Sequence, residues 1–314
     1  MEQKYLGITP YDEDSSFEFT GRSEETWALY DRIIRNEYTV YYAASGEGKS
    51  SLIRAGLLPI LRRRDFFPVY IVFEDNELED LSAIENVINS RIKVESKKHD
   101  VTYVQSIWSQ KRFDQEVSAQ LKSNMWWRLR NYCFKRGNTE LKPLFIFDQF
   151  EEVFTKATYD WTNHFFTWLE KISTDYIPDS LRENVNSRGI DMPTQKNFKA
   201  LFSFRTEYLG DLDYWCVQKH FIPALQENRM CLKPLTPKGA KEIINLNESS
   251  LGKYADKIVQ GCAEPKTNVN NVEQPCVYAL ILSVVCQTLS EIPDKERIPL
   301  LDNLNNQQDD TIDD

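Results

Sequence analysis

The stretch 38–59, YTVYYAASGEGKSSLIRAGLLP, decides the fold. It opens with an apolar, aromatic run, Tyr38 to Ala43, of the length of a buried strand. SGEGKS, residues 45–50, follows. An apolar-periodic segment then reads as a helix that stops at or near Pro59, where a proline breaks the helical hydrogen bonding. Gly46 and Gly48 let the backbone curl so that successive N–H groups form an anion nest. The helix start adds unsatisfied N–H groups and the positive end of a dipole. In this arrangement Lys49 reaches the β and γ phosphates of a nucleotide, and Ser50 offers a hydroxyl to Mg²⁺. Ser45, Glu47 and Ser51 complete the loop. The first glycine of the G-x-x-x-x-G-K-[ST] pattern is replaced by Ala43, at the strand end where a small residue suffices.

Upstream, residues 1–22 read as an extended leader ending in FTGR, Phe19 to Arg22. Ser23 is a candidate N-cap, and Glu24 and Glu25 favour the first turn of a helix with Trp27, Tyr30, Ile33 and Ile34 on its apolar face. The leader either lines an adenine pocket beside the loop or simply packs.

Downstream, a short helix to Arg64 and a strand at 68–73, PVYIVF, follow. Residues 78–92 have helical periodicity, and 94–104 are polar and uninformative. Four-residue steps from Phe113 to Leu129 predict a long helix from Lys111 to Cys133, ended by Gly137. Trp126 and Trp127 within it are either core or a ligand platform. Residues 144–154, LFIFDQFEEVF, make an apolar strand that ends in Asp148, with Glu151 and Glu152 beyond. Asp148 there is placed to hold Mg²⁺ through water, and one of the two glutamates to polarise an attacking water. A carboxylate that merely caps a helix is the plainer alternative. Trp161 to Ile172 is an amphipathic, aromatic helix expected to cover one sheet face, and 175–197 a polar loop. A strand at 200–204 ends in Arg205, and a last strand is expected near 230–232. Beyond LKPLTP, residues 232–237, only helices are expected, near 237–246, 251–261 and 275–290.

The chain has 314 residues, with 41% hydrophobic and 12% aromatic residues, enough for a large core. A net charge of -10 disfavours non-specific nucleic-acid binding. Six cysteines without a C-x-x-C pair point to reduced thiols and a cytoplasmic protein. Three histidines show no metal spacing, and no apolar run is long enough to span a bilayer.

FTGR, SGEGKSSLIRAGLLP, LFIFDQFEEVF, SFRTEY and NRMCLKPLTP resemble the prokaryotic STAND ATPases, signal-transduction NTPases related to NACHT and NB-ARC proteins. The likeness is strongest to the novel STAND NTPase subgroup and covers most of residues 5–290. It implies a three-layer α/β P-loop NTPase fold of the ASCE type over residues 1–231, with parallel sheet order 5-1-4-3-2. A small all-helical domain over 232–300 and a disordered acidic tail over 301–314 would follow. The resemblance makes Lys49 and Ser50 the phosphate and Mg²⁺ residues, and Asp148 the Walker B aspartate. Glu151 and Glu152 become the acidic pair that activates water, and Arg205 a sensor. Phe19, Gly21 and Arg22 would lie beside the adenine, and Pro275 would close over it. The implied function is an ATP-binding switch that hydrolyses ATP slowly to ADP, within a larger stress or anti-phage defence protein. Its effector and C-terminal sensor domains would lie outside this chain, and the full-length active state would self-oligomerise. A nucleotide-binding assembly scaffold with negligible turnover is the alternative. Neither membrane nor nucleic acid is an expected partner.

Overall fold

The computed structural model describes residues 5–80, 83–105, 124–174, 182, 197–219, 223–247, 249–267 and 273–309. By its contacts the chain forms two compact units. One comprises Met1–Tyr30, Tyr42–Pro59 and Cys231–Asp314; the other comprises Asp31–Tyr41 and Ile60–Met230.

The second unit holds most of a sheet, of which only Tyr42, Ala43 and Cys231 count with the first. Its strands are β1 (Tyr38–Ala43), β2 (Phe66–Ile71), β3 (Thr102–Gln105), β4 (Tyr132–Arg136), β5 (Thr139–Phe147), β6 (Lys199–Arg205) and β7 (Arg229–Cys231). The order is β3-β4-β5-β6-β1-β7, and β2 also pairs with β5. β5 changes partners along its length. Its first residues pair antiparallel with β4, and residues from Lys142 onward pair in parallel with β2. Leu144 to Phe147 pair in parallel with Lys199 to Phe202 of β6. The near-continuous apolar character of β1, β5 and β6 fits burial on both faces.

This sheet differs from the five-strand 5-1-4-3-2 arrangement expected from the resemblance. It has seven strands, because β3 and β4 extend it with antiparallel partners. The expected long helix is cut short accordingly. Residues 106–123 lie outside the described residues, the helix Met125–Asn131 follows, and Cys133 is already in β4. Gly137 does not end a helix. It sits with Asn138 in the two-residue turn between Arg136 and Thr139, at φ 58°. The helix over 83–98 extends into the stretch read as uninformative, and β3 follows it. The expected loop at 175–197 lies almost wholly outside the described residues.

Aromatic packing holds the helix Tyr159–Ser173 to the sheet. Phe165 meets Phe147 edge-on at 5.4 Å, and Phe147 stacks on Phe202 at 5.1 Å. Trp126 and Trp127 are core residues at 1% exposure, and Trp126 Nε1 donates to the Thr174 carbonyl at 3.0 Å.

In the first unit, Leu235, Ile244, Ile258, Val277, Leu282 and Cys286 belong to one buried apolar cluster. This part is not all-helical. β8 (Ala263–Thr267) and β9 (Glu273–Val277) form an antiparallel hairpin, and Val277 bridges to Leu235. The helix expected from 275 therefore begins at Ala279 and runs to Glu291. A further helix, Asp294–Asp309, occupies most of the expected disordered tail, with Leu301 fully buried in the cluster. Residues 310–314 lie outside the described residues.

The helix after β1 does not stop at Pro59. It passes from Lys49–Ser51 through a π-helical turn, Leu52–Leu57, into Leu58–Arg63. The Leu58 N–H donates to the Ile53 carbonyl, five residues back. A proline has no N–H and its ring crowds the carbonyl four residues before it, so a widened turn just ahead lets the helix continue.

Candidate functional site

The sequence-predicted residues fall into two groups, one in each unit. In the first unit the SGEGKS loop curls through two left-handed glycines, Gly46 at φ 82° and Gly48 at φ 87°. Gly48 is the N-cap of the helix. Both dihedrals lie where a side chain would strain the backbone. Lys49 Nζ donates to the carbonyls of Ala43 at 3.1 Å and Ala44 at 3.2 Å, across the loop's own opening. Ser45 is exposed, while Ser50 and Ser51 are half-buried at the helix start.

The leader lies on this loop and helix. The Tyr11 N–H donates to Ser51 Oγ at 3.2 Å. Phe19 packs against Tyr11 with centroids 5.8 Å apart, and a Cβ on Gly56 would come 3.2 Å from the Phe19 ring. Gly21, at φ 77°, passes so close to Ile243 that a Cβ would sit 2.0 Å from it, so only glycine fits. Arg22 is 5% exposed and donates to Glu25 Oε1 at 2.7 Å and to the carbonyls of Lys233 at 2.9 Å and Glu47 at 3.4 Å. Pro275 is exposed in β9, in register with Pro265. The start of the Ala279–Glu291 helix touches the loop instead. The Leu280 N–H donates to the Gly46 carbonyl at 3.0 Å, and Ala279 Cβ lies 3.9 Å from where a Gly48 Cβ would be.

In the second unit β5 ends at Phe147 and is followed by Asp148, which is 2% exposed. The Tyr70 hydroxyl of β2 donates to Asp148 Oδ2 at 2.6 Å. The next residue, Gln149, takes φ 54°, a rare conformation for a residue with a side chain. That turn buries Phe150, whose N–H donates to the Ser203 carbonyl at 2.9 Å, and delivers Glu151 and Glu152 onto a short helix. The two glutamates part there. Glu151 is 9% exposed; its Oε1 lies 3.0 Å from Arg205 Nε, and its Oε2 is buried without a hydrogen bond. Glu152 is held outward by Lys156, 3.1 Å from its Oε1, and Lys156 also binds Asp75 at 2.8 Å.

The sequence reading missed Tyr70, Gln149 and Leu280. Their parts depend on where the fold puts them: a strand neighbour, a left-handed turn, a helix start. Among the described residues there is no cluster of three or more metal-ligating side chains, and no helix long and apolar enough to cross a membrane.

A buried strand that leads into a left-handed glycine loop at a helix N-terminus, and another strand of the same sheet followed by a buried aspartate, define an α/β fold of the P-loop NTPase type. The chain belongs to the Novel STAND NTPase 1 family, whose sequence profile matches residues 5–260. That membership implies nucleotide binding. Comparison with curated proteins gives no match. Among solved structures the chain is similar to the Walker-type ATPase PABY2304 of Pyrococcus abyssi, at 13% identity and TM-score 0.51 over 97% of this chain and 78% of that one. It also matches the ORC2 protein of Aeropyrum pernix at 10% identity and TM-score 0.46, over 98% and 70% of the two chains. At such identities the likeness to PABY2304 is one of fold.

Proposed function

We propose that the chain is the nucleotide-binding module of a STAND switch that binds ATP or ADP and hydrolyses ATP slowly. The loop geometry carries this reading: two positive-φ glycines at a helix start, directly after a buried strand and directly before Lys49. The N–H groups of the loop and Lys49 hold the phosphates. Phe19 and Gly21 line the base, with Pro275 on its far side. Asp148, a buried carboxylate steadied by Tyr70, and Ser50, a helix-start hydroxyl, are each hard oxygen donors of the kind Mg²⁺ takes. Such an ion would neutralise charge on the phosphate oxygens.

Glu151, not Glu152, takes the role of orienting water and accepting its proton. Its second oxygen is buried and has no hydrogen bond, whereas Glu152 is engaged outward by Lys156. Arg205 fixes the other oxygen of Glu151 and supplies positive charge beside it. The same ion pair favours the second reading, an assembly scaffold with negligible turnover, since the guanidinium already engages one of the two oxygens that could meet a water. The effector, the trigger, a place in stress or phage defence and self-association through domains outside this chain complete the proposal by family analogy.

Calorimetry with ATP tests the binding claim. Lys49→Ala is expected to weaken ATP by about a hundredfold, since it deletes a charge-assisted contact to the phosphates. Affinity equal to wild type would reject the loop as the phosphate site. Phosphate release at saturating Mg-ATP separates the switch from the scaffold.

A further inference from the structure

The phosphate loop carries an acid, which is electrostatically awkward for a site that gathers phosphates. Glu47 stands between Gly46 and Gly48 and is 1% exposed. A buried carboxylate in a loop meant for a polyanion would repel it unless balanced. Arg22 places a positive charge beside that carboxylate. Its side chain is 6% exposed, and its Nη2 lies 3.9 Å from Glu47 Oε2 and 3.4 Å from the Glu47 carbonyl oxygen. The other end of the fork holds Glu25 at 2.7 Å and the Lys233 carbonyl at 2.9 Å. One guanidinium thus joins the leader, the loop and the segment that enters the β8–β9 part of this unit. A planar fork can make these bonds together, which an ammonium cannot.

We propose that Arg22 is a positioning residue of the phosphate loop, whose contact with Glu47 fixes that peptide and cancels its charge so that the loop still attracts phosphate. This rests on the nucleotide-binding reading above, but assigns Arg22 to the loop and not to the base.

The test is a cycle of Arg22→Met, Glu47→Gln and the double variant, read by ATP affinity and by nucleotide-free thermal unfolding. Arg22→Met is expected to weaken ATP about tenfold, because it removes a positive charge from beside Glu47. Adding Glu47→Gln is expected to restore affinity to within about threefold of wild type, since the pair is coupled. Glu47→Gln alone removes a negative charge and keeps Arg22, so it is expected to tighten ATP by about threefold. A brace without electrostatic function would instead leave the double variant as weak as the single, and Glu47→Gln would weaken binding; either result overturns the proposal. Should Arg22→Met fail to fold, the sign of the Glu47→Gln effect still decides. Lys49→Ala runs alongside: loss of binding there with an uncoupled Arg22–Glu47 cycle rejects this inference alone, whereas retained binding counts against the phosphate-loop reading.

Discussion

Arg205 Nε and Glu151 Oε1 lie 3.0 Å apart, and the two residues differ sharply in surroundings: the arginine side chain is 50% exposed, the glutamate 12%. The pair therefore tethers a buried acid to a solvated base. Glu152, one residue on, is tied instead to Lys156. These different partners give the two glutamates unequal expected roles.

Glu151→Gln is expected to lower the rate of phosphate release by about a hundredfold or more, while ATP affinity stays within a few-fold of wild type. Glu152→Gln is expected to change the rate by less than about fivefold, because it only loosens an exposed ion pair. Single-turnover assays with both variants check this. Equal losses would return the two glutamates to equal standing.

The Tyr70 hydroxyl steadies Asp148 at 2.6 Å, so Tyr70→Phe frees that carboxylate to rotate. The expected result is a drop of about five- to tenfold in ATP affinity with Mg²⁺ and little change in excess chelator, the pattern of a lost outer-shell hydrogen bond. Asp148→Asn should show the same pattern more strongly. Titration calorimetry in both conditions measures it, and equal losses with and without metal would remove Tyr70 and Asp148 from the metal's surroundings.

Gln149 holds φ 54° in the turn between Asp148 and Glu151. A left-handed conformation costs a residue with a Cβ roughly 1 kcal/mol, and glycine avoids that cost. Gln149→Gly is expected to raise unfolding stability by about 0.5 kcal/mol, the unfolded glycine's extra freedom offsetting part of the gain. Urea denaturation reads the difference, and a loss of stability would show that the glutamine side chain contributes more than its strain.

Lys199 is 6% exposed and donates to the carbonyls of Ile34 at 2.9 Å and Asn36 at 2.5 Å. Burial, then the nearby Lys142, pushes its ammonium down from 10.5 to about 8, against an opposing pull from Glu37. The folded pKa lies below the unfolded one, so folding favours the neutral amine. The stability this contributes is present above about 10.5 and lost as pH falls through about 8. Wild type is therefore expected to gain stability relative to Lys199→Met between pH 7.5 and 10, read as the shift in urea midpoint at each pH. A constant gap across that range would contradict it.

Much of the sheet was legible in the sequence because its strands are buried apolar runs. YTVYYA, LFIF and ALFSF coincide with β1, the end of β5 and most of β6. Helical periodicity read on from Phe113 concealed β4, although Gly137–Asn138 is a two-residue hairpin signal in its own right. The Asp294–Asp309 helix escaped because it is polar, contains Pro299 and is anchored in the core through Leu301. The chemistry-bearing residue types could be read from their spacing, but the difference between Glu151 and Glu152 could not. It arises from the left-handed turn at Gln149 and from the side chains that meet each carboxylate. Likewise, FTGR marked Arg22, yet only the folded leader shows its guanidinium bonded to Glu47.

The bond from the Leu280 amide to the Gly46 carbonyl makes that amide a native clock. An amide hydrogen exchanges with heavy water only when its bond opens. This opening requires either the Gly46 peptide to turn or the helix start to withdraw. A phosphate drawn into the loop would hold the peptide in one orientation, while withdrawal of the helix would expose the amide. The isotope-exchange rate of one unmodified backbone hydrogen, followed with ATP, with ADP and with neither, would then record how often loop and helix part.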